Sequence, residues 1–481
     1  MAIQEGIRAA VFISFIGILI LLLSNQGLWW DEAVYLALSK AIPQGHYSLD
    51  PAWPLESFRP PVFPFLLSIF SGFSDAVLIS RIFVFILASL SAAAVYFLSK
   101  EIFNKKTALW SLLLFSTSYL FIFFSTKILS EPLFIIFLSL SVFYFSKSHK
   151  AKNKNYLILS GLFAGLAFLT RYIGFILILA YFICFVYLCF KGKIRPFNIL
   201  YFAIIIFIIS TPWILLSVYY YQEPFGGFIT NIKVFAQSPP NILVQNYLSL
   251  FGYEGIVSIF IPALILFAIY FSVKQRPSIQ QKFIFLLFFL SLAYFVLLPY
   301  KEIRYLLSFL PIISALAAFG LVQILEKSKQ YKVPIITTVL ILSIVSMLAG
   351  FQSAWENNLA SLPVIEASQY LNSLQADSVL TQMYPYVNYF SSKRAIQFCE
   401  NHFVNPDFEK CQEELITNNF NPEKIPNLME KYNTKYILFY RFEPTNPPKV
   451  FAYLESNPQF RKVKSFEEFG TEAAVIYEYV G

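Results

Sequence analysis

The chain has 481 residues, of which 57% are hydrophobic and 13% are charged, and its formal net charge is +8. A soluble domain is about half apolar and about a quarter charged, so this composition excludes an ordinary soluble protein and indicates one that crosses a membrane many times. The positive charge is typical of a cytoplasmic membrane face rather than of a nucleic-acid binder. The four cysteines and three histidines show no zinc spacing.

A segment near the start of the chain combines an apolar run with two acids. Residues 7–23 are about long enough to cross a bilayer, and no small-residue cleavage site follows them, which predicts a retained first helix. Trp29-Trp30-Asp31-Glu32 comes next, at the level where tryptophans suit lipid headgroups. The two carboxylates, with Arg59-Pro60-Pro61 farther on, indicate a site for chemistry on a lipid-linked substrate. Alternatively, Asp31 caps a surface helix and Glu32 occupies its first turn.

Further helices follow in the membrane region, which we place at residues 1–351. Residues 31–42 predict a short amphipathic helix and residues 62–70 a second interfacial helix, both in the first external loop at 24–75. By the usual length criterion we predict about eleven transmembrane helices. These spans are 7–23, 76–98, 109–125, 129–145, 156–169, 173–190, 197–219, 247–273, 283–298, 305–325 and 333–351.

The charges of the connecting loops predict the orientation. The loops at 100–106, 147–154, 191–195, 274–282 and 327–332 are rich in lysine and arginine, and they all fall on one side of the predicted spans. Cationic loops mark the cytoplasmic side. We therefore expect a multi-pass protein of the cell membrane, with Asp31, Glu32 and Arg59 outside.

Four cations run against this bias because they stand at span ends on the outer side, namely Lys127, Arg171, Lys301 and Arg304. Snorkelling towards outer headgroups is one explanation. A phosphate-binding site facing the acidic loop is the other, since arginine and lysine both bind phosphate. Glu131-Pro132 opens a span on the same side, which is an ordinary helix start and also brings a third carboxylate to this face.

Two outer segments complete the predicted architecture. The loop at 220–246 is either a mobile cover over a site or a plain connection. Residues 352–481 are polar and predict a small extracytoplasmic α/β domain, with strands at 378–382, 435–440 and 473–479 and helices around 362–374 and 422–432. Outside the cell, Cys399 and Cys411 can form a disulfide; two free thiols are the alternative.

Several stretches taken together resemble one family. They are WWDEAVYLAL, FRPPVFPFLL, SRIFVFILASLSAAAVYFLSKEIF, LSEPLFIIFLSL, GLFAGLAFLTRYIGFILIL and KEIRYLLSFLPII. In this order and membrane placement the chain resembles the GT-C superfamily of polytopic glycosyltransferases. The branch is the family 39-like one of dolichyl-phosphate-mannose protein mannosyltransferases and the lipid A aminoarabinose transferase.

The resemblance implies an activity. Such enzymes transfer a hexosyl or pentosyl group from a polyprenyl-phosphate donor, dolichyl or undecaprenyl, to a hydroxyl of a protein, lipid or glycan on the outer face. Asp31 matches the essential acid of the first external loop, with Glu32 beside it, and Glu131 matches the acid of the second. The positions that match or lie near the donor-phosphate site are Arg59, Lys127, Arg171, Tyr172, Lys301, Arg304 and Tyr305.

The chemistry that these residues predict is a single displacement with inversion at the anomeric carbon. Asp31 serves as the base or orients the acceptor, and its shielding from water is expected to raise its pKa. The cations stabilise the departing lipid phosphate. Alternatively, Asp31, Glu32 and Glu131 hold a divalent metal cation, Mg²⁺ or Mn²⁺. The sequence shows no Walker A, dinucleotide or nucleotide-sugar motif, which agrees with a lipid-linked donor and with membrane lipids rather than nucleic acid as partners.

Two other function classes are weighed against the enzyme. A transporter or flippase of lipid-linked sugars predicts inverted repeats and charges near the bilayer midplane, whereas these charges cluster on one face. A non-catalytic membrane scaffold predicts a decayed site, whereas Asp31, Glu32, Arg59, Glu131 and Arg304 are all present.

Overall fold

The computed structural model describes residues 2–49, 55–151, 153–194, 196–225, 228–229, 256–297, 304–359, 361–399, 411, 414–415, 417–441, 447–468 and 470–481. Lys301 lies outside the described residues, as do most of the predicted cover at 220–246 and the beginning of the predicted span at 247–273.

Among the described residues up to Glu356 the regular structure is entirely helical. In chain order the helices are α1 Ala2–Ser24, α2 Trp30–Ala41, α3 Val62–Ser68, α4 Ala76–Ile102, α5 Lys105–Ser116, α6 Tyr119–Ser125, α7 Glu131–Ala151, α8 Lys154–Thr170, α9 Phe175–Phe190, α10 Pro196–Tyr221, α11 Ile256–Gln275, α12 Ile279–Leu297, α13 Arg304–Lys327 and α14 Lys332–Glu356.

These helices confirm the polytopic α-helical architecture. Within the described residues, eight helices are long and apolar enough to cross a membrane, and the pair α5 and α6, bent by 58°, makes a ninth. Two shorter apolar helices, Lys154–Thr170 and Phe260–Gln275, occupy the remaining predicted spans. Every predicted span therefore contains an apolar helix.

Helix α13 runs through the centre of the bundle and is buried along most of its length. A close contact with α11 requires glycine at position 320. A Cβ added to Gly320 would lie 2.0 Å from the carbonyl oxygen of Leu264, so any larger residue would push the two helices apart. This packing fixes the axis of the helix whose first residue is Arg304.

Helix α2 begins and ends close to the predicted limits, but its surroundings differ from the prediction. It does not lie as an amphipathic helix on a lipid surface, because all of its residues from Asp31 to Ser39 are buried. The reason is that α3 packs on one side of it and a helix of the C-terminal region packs on another. Aromatic pairs such as Tyr35 and Phe63, with ring centroids 4.9 Å apart, fill the contact with α3.

The C-terminal region forms the α/β unit that the sequence predicts. Its sheet has the strand order β2-β1-β3-β5-β4, in which β1 is parallel to both neighbours and the other pairs are antiparallel. The strands are β1 Ser378–Thr381, β2 Arg394–Ile396, β3 Tyr436–Tyr440, β4 Phe460–Glu468 and β5 Thr471–Tyr479. The helices are α15 Leu362–Tyr370, α16 Tyr384–Phe390, α17 Lys424–Lys431 and α18 Pro448–Ser456.

The three predicted strands are present, whereas β2 and β4 were not predicted. Strand β4 is an edge strand with exposed charges along most of its length, so it lacks the apolar pattern of the completely buried β3. Cys399 and Cys411 form a disulfide with an S–S distance of 2.10 Å.

The α/β unit is fastened to the beginning of α2. The Tyr386 hydroxyl in α16 donates a hydrogen bond to the carbonyl of Leu28 at 2.9 Å. The ring of Tyr384 packs edge-on against Trp30, with centroids 5.2 Å apart. Lys40 at the other end of α2 donates to the carbonyl of Tyr389 at 2.9 Å. The α/β unit therefore holds α2 against the end of the membrane helices that carries Asp31, which we call the Asp31 end.

Candidate active site

Asp31 lies in the first turn of α2, where a carboxylate is favoured by the helix dipole. Two arginines from distant parts of the chain bind it. Arg59, in the turn before α3, donates to Oδ1, and Arg304, the first residue of α13, donates to Oδ2. The side chains of Asp31, Arg59 and Arg304 are 10%, 16% and 17% exposed, so the group is largely shielded but still reachable. All three residues are candidates from the sequence, and the fold brings them into direct contact.

The two arginines decide the ionisation of Asp31. Burial raises the pKa of this carboxyl, but the positive charges of Arg304 and Arg59 and their hydrogen bonds outweigh burial, so the pKa lies well below its usual range. Asp31 is therefore ionised at neutral pH. This corrects the expectation that shielding alone would raise its pKa, because that expectation took no account of the paired cations.

A second arginine–carboxylate pair stands nearby. Glu131 opens α7 and is completely buried, and its Oε1 lies 2.6 Å from Nη1 of Arg171, which follows α8. The same Nη1 donates to Oγ of Ser130 at 3.3 Å, and Ser130 in turn lies 3.0 Å from the hydroxyl of Tyr35. Tyr35 stands one helical turn after Asp31, so it connects the two pairs along one face of α2.

The two arginine groups border a single open cavity. Its walls combine the charged residues with aromatic rings, which suits a ligand that has both an anionic group and a sugar. The lining residues are Asp31, Tyr35, Phe58, Arg59, Pro60, Thr170, Arg171, Tyr172, Ile173, Phe228, Tyr294, Arg304 and Tyr305. Tyr172 faces it with its ring, because its hydroxyl donates to the carbonyl of Ser57 at 2.6 Å.

Glu32 does not line this cavity in the described part of the chain, although the sequence paired it with Asp31. Successive helical residues point about 100° apart, so Glu32 faces the protein interior. Its Oε2 accepts from the backbone N–H of Trp29 and its Oε1 from that of Ile128, both at 2.8 Å. The side chain fastens the beginning of α2 to the segment before α7, which is a structural position rather than a catalytic one.

Lys127 is also placed away from the cavity. It is 1% exposed, and its Nζ lies 5.2 Å from the centre of the Trp29 ring and 3.4 Å from the carbonyl oxygen of Asn357. Burial lowers the pKa of Lys127, partly offset by the negative charge of Glu32. Lys127 in this position supports the start of α2 and is not among the residues that line the cavity, which corrects its assignment from the sequence.

The carboxylates do not form a metal site in this arrangement. Asp31 has both oxygens bound to Arg59 and Arg304, and Glu131 is paired with Arg171. Among the described residues, no group of three His, Cys, Asp or Glu side chains could hold an ion. The donor set therefore does not fit Mg²⁺ or Mn²⁺, since a cation would have to displace guanidinium groups that already neutralise these carboxylates.

The residues at the site that were not selected from the sequence include Tyr35 and Glu56. Tyr35 is four residues after Asp31, and helical spacing places i and i+4 on the same face, so this signal was available. Glu56 precedes Arg59 by three residues in a Pro-rich loop that has no regular period, and nothing local distinguishes it from a surface acid.

Part of the chain matches a known family model. Residues 58–215 match the family model described as dolichyl-phosphate-mannose-protein mannosyltransferase. This segment contains Arg59, Glu131 and Arg171. None of the curated protein sequences matches the chain.

Solved structures match over nearly the full length. ArnT from Cupriavidus metallidurans bound to undecaprenyl phosphate has a TM-score of 0.70 at 10% identity, covering 98% of this chain and 97% of that one. AglB from Archaeoglobus fulgidus, an oligosaccharyltransferase in complex with an inhibitory peptide and a dolichol-phosphate, has a TM-score of 0.65 at 13% identity, covering 97% and 74%. The Archaeoglobus fulgidus oligosaccharyltransferase in complex with Zn and sulfate has a TM-score of 0.64 at 14% identity, covering 97% and 72%.

The chain therefore has the fold of ArnT and of the Archaeoglobus fulgidus oligosaccharyltransferase, and it is similar to ArnT over nearly the whole length of both chains. The resemblance predicted from the sequence is confirmed for the fold and for the segment that the family model matches.

Proposed function

We propose that the protein is a membrane glycosyltransferase that moves a sugar from a polyprenyl-phosphate donor to an acceptor hydroxyl, with inversion at the anomeric carbon. One observation carries the proposal: two arginines converge on Asp31 at the mouth of a cavity beside the membrane helices. The similar structure of ArnT is bound to undecaprenyl phosphate and that of AglB is in complex with a dolichol-phosphate, which supports this class of donor.

The charges at the cavity suit a sugar phosphodiester. Three arginines, Arg59, Arg171 and Arg304, stand with two carboxylates, Asp31 and Glu131, which leaves one positive charge in excess. A polyprenyl-phosphate sugar carries one negative charge. Arg59 and Arg304 hold the phosphate with paired N–H donors, and they stabilise the negative charge that stays with the lipid phosphate when the sugar leaves.

Donor binding then makes Asp31 a better base. The phosphate oxygens and the Asp31 carboxylate use the same two guanidinium groups. When the phosphate takes a share of those donors, less positive charge remains on Asp31 and its pKa rises. The acceptor oxygen attacks the anomeric carbon, its proton goes to Asp31, and the bonding electrons of the sugar–phosphate bond leave with the phosphate.

The aromatic side of the cavity would take the sugar. Tyr35, Tyr172 and Tyr294 present rings next to Arg171. Sugar rings pack on aromatic faces through their C–H groups, while Arg171 and the Tyr35 hydroxyl offer hydrogen bonds to sugar hydroxyls. The donor-binding roles of Lys301 and Tyr305 stay predictions.

We further propose that the Asp31 end faces the outside of the cell membrane, and that the chain divides into a transmembrane domain at 1–351 and an extracytoplasmic α/β domain at 352–481. The cationic loops lie at the opposite end, which supports this orientation. The Cys399–Cys411 disulfide supports it independently, because such bonds persist in oxidising compartments.

The test is sugar transfer by the purified protein in lipid vesicles, with radiolabelled donors of three kinds and a mixture of protein, lipid and glycan acceptors. We expect transfer from polyprenyl-phosphate sugars and none from polyprenyl-pyrophosphate sugars or nucleotide sugars, since the site offers charge for one phosphate. Transfer from a nucleotide sugar would contradict the proposal. A folded protein that transfers from no donor would favour the transporter or the scaffold.

A further inference from the structure

Arg59 belongs to a short turn at residues 55–60, which we call the Arg59 turn, and tyrosines hold it from three directions. One comes from the first loop, one from the segment before α9 and one from the end of α10. Their hydroxyls donate to four carbonyls of the turn: Tyr221 to Leu55, Tyr172 to Ser57 at 2.6 Å, and Tyr47 to Arg59 at 3.0 Å and Pro60 at 3.3 Å. Four carbonyls of a six-residue loop without regular structure thus have tyrosine hydroxyls as hydrogen-bond donors.

An acid stands inside this turn. Glu56 is 2% exposed, and its backbone N–H donates to the carbonyl of Tyr47 at 2.7 Å. Its Oε1 accepts from the backbone N–H of Phe58 at 3.1 Å, so the side chain closes the turn from within. The mechanism above does not use this buried carboxyl, although it lies three residues from one of the two arginines that would bind the phosphate.

We propose that Glu56 is a positioning residue that holds the Arg59 turn and, by gaining or losing its proton, sets how much of the Arg59 charge is available to the donor phosphate. This rests on the proposed function. Glu56 thus regulates the donor site from outside the cavity wall.

The charge balance gives the direction of the effect. With Glu56 protonated, the site keeps one positive charge in excess, which matches the single charge of a phosphodiester. With Glu56 ionised, the charge of Arg59 interacts with two carboxylates, Asp31 and Glu56, and the excess is cancelled. The donor phosphate should therefore bind more tightly below the pKa of Glu56 than above it.

The surroundings place that titration near neutral pH. Burial raises the pKa of Glu56 to about 7, although the charge of Arg59 and the backbone N–H groups of Phe58 and Arg59 oppose it. The titratable groups that face Glu56 within the described residues are Arg59, Tyr47, Tyr172 and Tyr221. Burial raises the pKa of Tyr47 well above its usual range, so this hydroxyl keeps its proton throughout.

The experiment measures binding of polyprenyl methyl phosphate, a phosphodiester that has no transferable sugar and carries one charge at every pH used. The full-length protein in detergent is titrated with it between pH 5.5 and 8.5. For wild type we expect the Kd to rise by about tenfold over this range, since one pKa unit of coupling corresponds to a factor of ten in affinity. Glu56→Gln keeps an oxygen for the N–H of Phe58 but has no charge, so its Kd should stay at the low-pH value of wild type.

Two further variants separate the possible causes. Glu223→Gln changes an exposed acid two residues after Tyr221 and should keep the pH response of wild type. Tyr47→Phe removes the hydroxyl that holds the Arg59 carbonyl, and it should weaken binding by about three- to tenfold at every pH while keeping the pH response. If Glu56→Gln retains the full pH response of wild type, the inference on Glu56 is wrong. If wild type binds the probe at no pH, the proposed function itself fails.

Discussion

Asp31 and Glu32 are neighbours in the chain and have opposite surroundings. Asp31 faces an open cavity and is bound by two arginine side chains, whereas Glu32 faces the interior and is bound by two backbone N–H groups. The Asp31 carboxylate, on one side of α2, is available to a substrate. The Glu32 carboxylate, on the other side, makes its hydrogen bonds within the fold. Adjacent acids in one motif therefore need not share a role, and the helix rotation of about 100° per residue is what separates them.

The largest effect should come from removing the interior acid. Glu32→Ala leaves two buried backbone N–H groups without an acceptor and leaves Lys127 without a nearby negative charge. We expect the free energy of unfolding to fall by about 3–5 kcal/mol, with little folded protein recovered. Thermal unfolding in detergent measures this effect. Glu366→Ala, at an exposed position of α15, is the matched control, and a Glu32→Ala protein as stable as this control would contradict the structural role.

A smaller effect, confined to the donor, should follow from changing the cavity side. Arg304→Gln removes one of the two guanidinium groups on Asp31 without opening the core. We expect the donor KM to rise by about 10- to 100-fold while the melting temperature hardly changes.

The same variant gives a pH prediction. Burial raises the pKa of Asp31 and the arginines lower it, so removing Arg304 raises it. The acidic limb of kcat/KM, where Asp31 takes up its proton, should therefore move to higher pH in Arg304→Gln than in wild type. An acidic limb that stays in place or moves to lower pH would show that Arg304 does not control this carboxyl.

Sequence reasoning could predict the long helices and the candidate charges, because each rests on local composition. The membrane spans came from runs of apolar residues. Asp31 and Arg59 came from the acidic pair and the Arg-Pro-Pro that follow the first span, and Arg304 came from a cation in an unexpected place. Tertiary packing decided the rest. The sequence placed Lys127 among the phosphate ligands, whereas the fold buries it beside Trp29. The sequence also placed α2 on a lipid surface, because α16, the helix that covers it, is more than 300 residues away in the chain.

The pKa of Asp31 illustrates the same limit. Its direction depends on two guanidinium groups that are 28 and 273 residues distant in sequence. No local pattern predicts that both arginines pair with Asp31, although the sequence indicated each of them as a phosphate-binding candidate. Glu56 was missed for a related reason, since its burial depends on tyrosines from three separate segments.

The central claim is that Asp31 is the reacting carboxylate of a lipid-phosphate glycosyltransferase and that its neighbour is not. The most direct measurement compares Asp31→Asn with Glu32→Gln and Asp75→Asn at saturating polyprenyl-phosphate sugar, using protein shown to be folded by thermal unfolding. Asp75 is an exposed acid at the start of α4 and serves as the control. We predict that Asp31→Asn lowers kcat by at least about 100-fold, while folded Glu32→Gln and Asp75→Asn stay within about threefold of wild type. Wild-type turnover by folded Asp31→Asn would contradict the account.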